Sequence, residues 1–327
     1  MDLLSTSLLI SVALVLAGCA ASSDGGEARD DAADPLPDFD RLWNYGDPAA
    51  TAEKFRALLP RFAASDDRDR HAQLLTQIAR THGLRRDFET SVTILAEAEA
   101  LIDETTPVAQ VRLLLERGRT FRSSGDPDAA RPFFTEAFER ANAIEAEFHA
   151  VDAAHMLGIV ESGDLSLEWN RRAIAAAEAA SDPRARNWLG ALYNNTAWTL
   201  HDSGDLDGAL DLFEKCLAWH EEKGTGRPRL IAKWAVARAL RSLGRVDDAL
   251  ARQEALRDEW AASEFDPSGY VFEEIGECLL LLAREDEAPA AFAKAYAILS
   301  KDDWLVAEEP ARLERMRTLA GEQPRDE

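Results

Sequence analysis

Residues 193–213, YNNTAWTLHDSGDLDGALDLF, contain the pattern that decides the fold. Ala197 lies in a stretch that reaches a Ser-Gly-Asp turn at Asp205, and Phe213 lies in a second stretch after that turn. A glycine just past one helix and an aspartate at the start of the next are common stop and start signals. The segment therefore predicts two helices joined by a tight turn.

The same pattern recurs at intervals of 39 or 40 residues, which predicts six repeats of one helix pair. The first helix of each repeat has a small residue, at Ala79, Gly118, Gly158, Ala197, Ala237 and Gly276. Nineteen residues later the second helix has Ala98, Ala137, Ala177, Cys216, Leu256 and Ala295, and three residues before these lie Leu95, Phe134, Ile174, Phe213, Gln253 and Phe292. The third repeat departs from the pattern at Asn170, where a small residue is expected, and the first has Arg86 in place of the turn glycine.

These positions resemble the tetratricopeptide repeat family, in which small residues on both helices allow close crossing and an aromatic residue of the second helix fills the gap. The spacing is similar to that of long-repeat members such as kinesin light chain and bacterial peptide-sensing regulators. The resemblance implies an all-α fold, a right-handed superhelical solenoid of antiparallel helix pairs with N- and C-terminal capping helices. We expect the N-terminal capping helix within residues 41–66, the repeats within 67–300, and the C-terminal capping helix and tail within 301–327.

Composition limits the functions available to this chain. It has 327 residues, 60 acidic and 37 basic side chains, a net charge of −23 and 46% hydrophobic residues, which suffices for packed cores. Nucleic-acid binding needs clustered Lys and Arg, so this balance argues against a nucleic-acid partner. Signatures of phosphate loops, zinc sites and catalytic nucleophiles are missing from the sequence. We therefore expect no enzyme, no cofactor, no metal site and no small-molecule substrate.

The N-terminal sequence predicts a targeting signal and an attachment to a membrane. An apolar run from Leu3 to Leu16 has the length of a signal-peptide core and ends in Leu16-Ala17-Gly18-Cys19. This tetrapeptide resembles the lipobox of bacterial lipoproteins, which implies a signal peptide over residues 1–19 and lipidation of Cys19. Residues 20–40 are acidic and poor in apolar side chains, which predicts a disordered linker. By the same resemblance, Ala20 after the anchor favours the outer membrane, although the signal lacks the usual basic residues.

The side of each first helix that faces away from the core predicts a ligand groove. Its arginines are Arg80, Arg112, Arg119, Arg122, Arg238 and Arg241, and its other candidate residues are His155, Asn194, Asn195, Trp198, His201 and Trp234. Over the first five repeats these six arginines face three acids, Glu116, Asp152 and Asp202, whereas the sixth repeat contributes Glu273, Glu274 and Glu277. Guanidinium groups bind carboxylates bidentately, which favours an acidic partner. Alternatively, these arginines pair with acids on the faces of neighbouring second helices and the tryptophans fill the contacts between repeats.

These patterns predict a membrane-tethered, non-enzymatic scaffold of the cell envelope that binds a protein or peptide partner. One alternative is an envelope assembly factor, resembling the repeat lipoproteins that help to build outer-membrane proteins or pili. The other is a cytosolic sensor resembling the peptide-responsive regulators, which requires the N-terminal signal to be false.

Overall fold

The computed structural model describes residues 35–321, and this part of the chain is helical without strands. It divides into two compact units, residues 35–189 and residues 190–321, which we call the N-terminal and C-terminal units. The predicted signal peptide, Cys19 and most of the predicted linker lie outside the described residues. Within the described range no helix combines the length and the apolar character that crossing a membrane requires.

The N-terminal unit begins with a short 3-10 turn, Phe39–Leu42, followed by eight α-helices. These are α1 Pro48–Ala63, α2 Arg68–Leu84, α3 Phe88–Glu99, α4 Pro107–Ser124, α5 Pro127–Ala143, α6 Glu147–Val160, α7 Gly163–Ala179 and α8 Pro183–Arg186. The expected N-terminal capping helix is α1, and its N-cap is Asp47, whose side chain accepts from the backbone of Ala50.

The C-terminal unit continues the same alternation. Its helices are α9 Leu189–Ser203, α10 Leu206–Lys223, α11 Gly226–Ser242, α12 Val246–Ala261, α13 Gly269–Leu281, α14 Ala288–Leu299, α15 Asp303–Glu308 and α16 Pro310–Leu319. The expected C-terminal capping helix is α16. Helix α13 begins at Gly269, two residues after Pro267, with Ser268 in the N-cap position.

The helix pairs cross where the sequence predicts. A Cβ atom added to Gly118 would lie 2.5 Å from the ring of Phe134, and one added to Gly276 would lie 2.8 Å from the ring of Phe292. Neither distance leaves room for a side chain, so glycine is what allows the phenylalanine of the second helix to fill the crossing. Both phenylalanines are fully buried.

In the third repeat, the asparagine that replaces the expected small residue is accommodated at the same helix crossing. Asn170 is buried and packs directly against Gly158, in the space that a Cβ atom on residue 158 would occupy. The absence of that atom makes room for a polar side chain where the other repeats have a small one. In the first repeat Arg86 adopts φ 61°, so it supplies the left-handed conformation that glycine supplies at Gly204, with φ 91°.

Candidate functional site

Two of the predicted groove arginines of the N-terminal unit, Arg80 and Arg119, lie in ion pairs that join neighbouring first helices. We call the face formed by the first helices of the repeats the A-helix face; in the N-terminal unit it comprises α2, α4 and α6. Arg80 of α2 donates to Glu116 of α4 at 3.1 Å, and Arg119 of α4 donates to Glu116 at 2.6 Å and also to Asp152 of α6. The order Arg80, Glu116, Arg119, Asp152 forms an alternating row across three helices, which we call the N-terminal ladder.

The N-terminal ladder is buried, and its charges are held by one another. Glu116 is only 3% exposed, and Asp152 is also buried. Burial alone would raise the pKa of Asp152, but the attraction of Arg119 and Arg80 outweighs it, so the pKa lies below its usual value. Burial likewise opposes the charged form of Arg80, yet Glu116 raises its pKa on balance. These arginines therefore serve first as links between repeats.

Arg122 and His155 are placed differently. Arg122 is exposed near the end of α4, and no ion pair involves it in the described part of the chain. His155 of α6 is buried 5.2 Å from the ring of Trp188, and its Nδ1 atom has no hydrogen-bond partner among the described residues. Burial lowers the pKa of His155 to about 4, so its ring is neutral at pH 7.

The C-terminal unit repeats the arrangement with a different acid. Arg238 and Arg241 of α11 both donate to Glu274 of α13, with Arg241 at 2.7 and 3.1 Å. We call these three residues the C-terminal ladder. Trp198 of α9 and Trp234 of α11 lie 5.9 Å apart, and the guanidinium of Arg238 lies within 6 Å of both rings. Such cation–π contacts add to the ion pair.

The remaining predicted residues of this unit lie on α9. Asn194 is buried and donates to the side chain of Asn195, which is exposed, at 3.1 Å. His201 Nε2 is hydrogen-bonded to the hydroxyl of Ser242 at 2.8 Å. Asn195 is thus the member of this group that is open to solvent.

The predicted acidic end of the groove is neutralised by residues that sequence reasoning missed. Arg312 of α16 binds both oxygens of Glu273 at 2.7 and 2.6 Å, and Arg315 of α16 binds Glu277. Both arginines lie on the capping helix, three residues apart, and counting them beside the sixth-repeat acids could have found the pairs. The basic and acidic side chains of the predicted groove therefore largely neutralise one another within the protein. Their charge partners lie on neighbouring first helices or on α16, not on the second helices.

A further element of the N-terminal unit lies on its A-helix face. Residues 35–45, which we call the strap, run across α2 and α4 before α1 begins. Arg70 of α2 donates to the carbonyl oxygens of Leu36 and Pro37 at 2.9 and 2.6 Å. Arg112 of α4 binds the Asp40 carboxylate with both Nη atoms, one of them at 2.9 Å. The strap therefore packs on the helices from residue 36 onward, within the range for which a linker is predicted.

Aromatic side chains complete the strap. Trp43 donates its indole N–H to Gln77 Oε1 at 3.1 Å, and its ring stacks on Tyr45 at 4.7 Å. The guanidinium of Arg80 lies 5.8 Å from the Trp43 ring and 5.5 Å from the Tyr45 ring. The sequence signal for this element was the apolar and aromatic cluster from Phe39 to Tyr45, which begins inside the predicted linker.

A cavity of about 470 Å³ adjoins the strap in the N-terminal unit. Asp40 and Arg112 line it together with Phe148, His149 and Arg184. Burial lowers the pKa of His149 to about 3, so this side chain is neutral at pH 7. Across residues 35–321 no cluster of His, Cys, Asp and Glu has the geometry of a metal site.

The helical fold of the described residues is similar to that of known proteins. A tetratricopeptide repeat family matches residues 189–223, which include the stretch that opened the sequence pattern. No curated protein matches the chain at a significant level. Among solved structures, the chain is similar to the apo form of RapI, with a TM-score of 0.67, 13% identity, and 87% of this chain and 81% of that chain covered.

Two further structures have the same fold. Aspartyl phosphate phosphatase F from Bacillus subtilis has a TM-score of 0.56 and 14% identity, with 86% of this chain and 77% of that chain covered. A signal-transduction ATPase with a tetratricopeptide repeat sensor from Pyrococcus horikoshii has a TM-score of 0.63 and 13% identity, with 85% and 43% covered. One repeat matches the tetratricopeptide repeat family by sequence, the other five place small and buried residues at the same positions, and the fold of the described residues is similar to that of tetratricopeptide-like repeat structures.

Proposed function

We propose that this protein is a non-enzymatic scaffold, tethered to a membrane of the cell envelope through Cys19, that binds a protein or peptide partner on its A-helix faces. The observation that carries the proposal is the strap. A segment of the chain itself lies on α2 and α4, where Arg70 binds two of its backbone carbonyl oxygens. Arg112 binds the carboxylate of Asp40, and Gln77 accepts from the indole of Trp43. These are the interactions by which repeat surfaces of this kind can hold an extended peptide.

An acidic partner is the finer part of the proposal. The arginines of the ladders are already paired, so the support comes from what remains accessible. Arg122 is exposed on the A-helix face without an ion pair in the described structure, and it lies on the same helix as Arg112 and Arg119. A free guanidinium beside a row of compensated charges favours a carboxylate on the partner. The tether rests on the lipobox resemblance and the acidic linker.

A crosslinking pull-down from envelope fractions tests the binding face. Arg122→Glu should lose the partner and leave the thermal unfolding of the protein unchanged, because Arg122 is exposed and outside the ladder. Arg171→Glu is the matched control, since Arg171 is also exposed in the N-terminal unit but lies on α7, a second helix. The same partners recovered with wild type and Arg122→Glu would contradict binding through this face. Arg119 and Arg238 are unsuitable for this test, because reversing either would break a buried ladder.

A further inference from the structure

We infer that residues 40–45 are a resident competitor at a docking site for a partner segment that carries a carboxylate followed, three residues later, by an indole. The inference rests on the proposed function, since it specifies the partner chemistry and the regulation of one part of the same face. The strap shows this spacing itself, with Asp40 bound to Arg112 and Trp43 bound to Gln77.

The strap consists of an anchor and a front that are held in different ways. Phe39, the anchor, is 2% exposed and packs edge-on against Phe55 and Phe62 at 6.0 and 5.6 Å. The front, residues 40–45, is only partly buried or exposed at every position. Gly46 follows it, and α1 starts at Pro48. Trp43 of the front also packs edge-on against Phe55 at 5.3 Å, and the Asn44 N–H donates to Thr51 Oγ1 at 3.1 Å. The front therefore leaves the A-helix face as a short loop when these contacts break, while Phe39 stays in the core.

Arg112 decides the charge of whatever replaces the front. Its residue is only 5% exposed, and both of its Nη atoms donate to Asp40. A buried guanidinium that loses its carboxylate is strongly destabilising, whereas exchanging one carboxylate for another keeps the pair intact. Asp40 and Arg112 both line the 470 Å³ cavity, which gives an incoming carboxylate access to the pair. The occupant must therefore be acidic at this point.

Gln77 determines which side chain the occupant needs three residues after its carboxylate. It is 6% exposed, and its Nε2 atom donates to Thr76, so its amide is fixed with the oxygen directed at the indole of Trp43. A buried acceptor that loses its donor is costly, so an indole N–H suits this position better than a phenyl ring. Arg80 contributes a cation–π contact to whichever aromatic ring lies there.

The chain's own front occupies this site because it is covalently linked to elements fixed beside the site. Because residues 40–45 are fixed at Phe39 and at α1, their effective concentration at the site is high, on the order of millimolar for short linkers. A free segment with the same chemistry competes poorly against the intact front and well against a weakened one. The site therefore responds to anything that loosens the front.

Fluorescence anisotropy with a labelled hexapeptide of residues 40–45 tests this. The purified Asp40→Ala/Trp43→Ala protein should bind the peptide, and wild type should bind it roughly tenfold or more weakly because its own front competes. Asp66→Ala is the matched control, since it removes the same charge from an exposed residue of the same unit that lies outside the strap. It should behave as wild type. A hexapeptide with the change Asp40→Asn should bind the double variant much more weakly.

Two results would overturn the inference: equal binding of the peptide to wild type and the double variant, or no binding to a double variant whose circular dichroism matches wild type. If the double variant does not fold, Trp43→Ala alone replaces it, because that change keeps Arg112 paired. The peptide should then raise the melting temperature of Trp43→Ala and not that of wild type, and equal shifts would be contrary. A partner captured through Arg122 without any peptide effect would leave the proposed function standing and remove only this inference.

Discussion

Replacing Glu274 by Gln tests whether the C-terminal ladder stabilises the fold. Burial favours the neutral acid, but Arg238 and Arg241 outweigh it and lower the pKa of Glu274, so it is ionised at neutral pH. Its side chain is 2% exposed, and those of the two arginines are 17% and 19% exposed. Glutamine would leave two largely buried guanidinium groups without a countercharge. We expect a loss of about 3–5 kcal/mol.

Urea unfolding followed by far-ultraviolet circular dichroism measures this loss, and the melting temperature should fall by roughly 6–20 °C. Glu287→Gln is the control, because Glu287 forms an exposed pair with Arg284 on the same unit and should change little. Replacing Glu274, Arg238 and Arg241 together by leucine should recover much of the stability, since no charge is left unpaired. An unfolding curve of Glu274→Gln identical to that of wild type, or a triple variant no more stable than the single one, would refute the argument.

Three other outcomes are expected. Gly118→Leu should destabilise the protein by about 1–3 kcal/mol, because the new side chain collides with Phe134; an unchanged urea midpoint would contradict this. His149 and His155 have pKa values lowered to about 3 and about 4, so as the pH falls below about 6.5 the unfolded chain takes up protons that the folded one does not. Stability should therefore fall by about 2 kcal/mol for each histidine between pH 7 and pH 5, and denaturation of His149→Gln at both values should show a weaker dependence. Metabolic labelling with a fatty-acid analogue should mark wild type and not Cys19→Ser, and an unlabelled wild type would remove the proposed tether.

The sequence predicted the repeat architecture well because close crossings restrict residue size. Gly118 and Gly276 touch the phenylalanines expected sixteen residues later, and the second-helix positions are buried in all six repeats. Such contacts lie within one helix pair, where a short turn fixes which residues meet. Periodicity alone is therefore sufficient to identify them.

Contacts between repeats were not predictable in the same way. Whether Arg80 meets Glu116 or solvent depends on the offset between α2 and α4, which a single sequence does not define. The partners of the groove arginines were missed for this reason, and because Asp40 was assigned to the linker and so left out of the charge count. Once Asp40 is included, Arg112 has a carboxylate of its own.

The ladders also constrain how this chain could gain or lose a repeat. Each ladder acid receives at least one charge partner from a neighbouring repeat: Arg80 lies in the first repeat and Glu116 in the second, and Arg238 lies in the fifth and Glu274 in the sixth. Deleting or duplicating one unit of 39 or 40 residues would place a buried guanidinium or carboxylate beside a helix that offers it nothing. Most repeat arrays can grow by copying a unit, since each unit needs only a similar neighbour. Here neighbouring repeats differ in the charges that they present to each other, so the buried ion pairs form in only one order of the repeats. Variants with a different repeat order should be less stable even where every apolar contact is preserved.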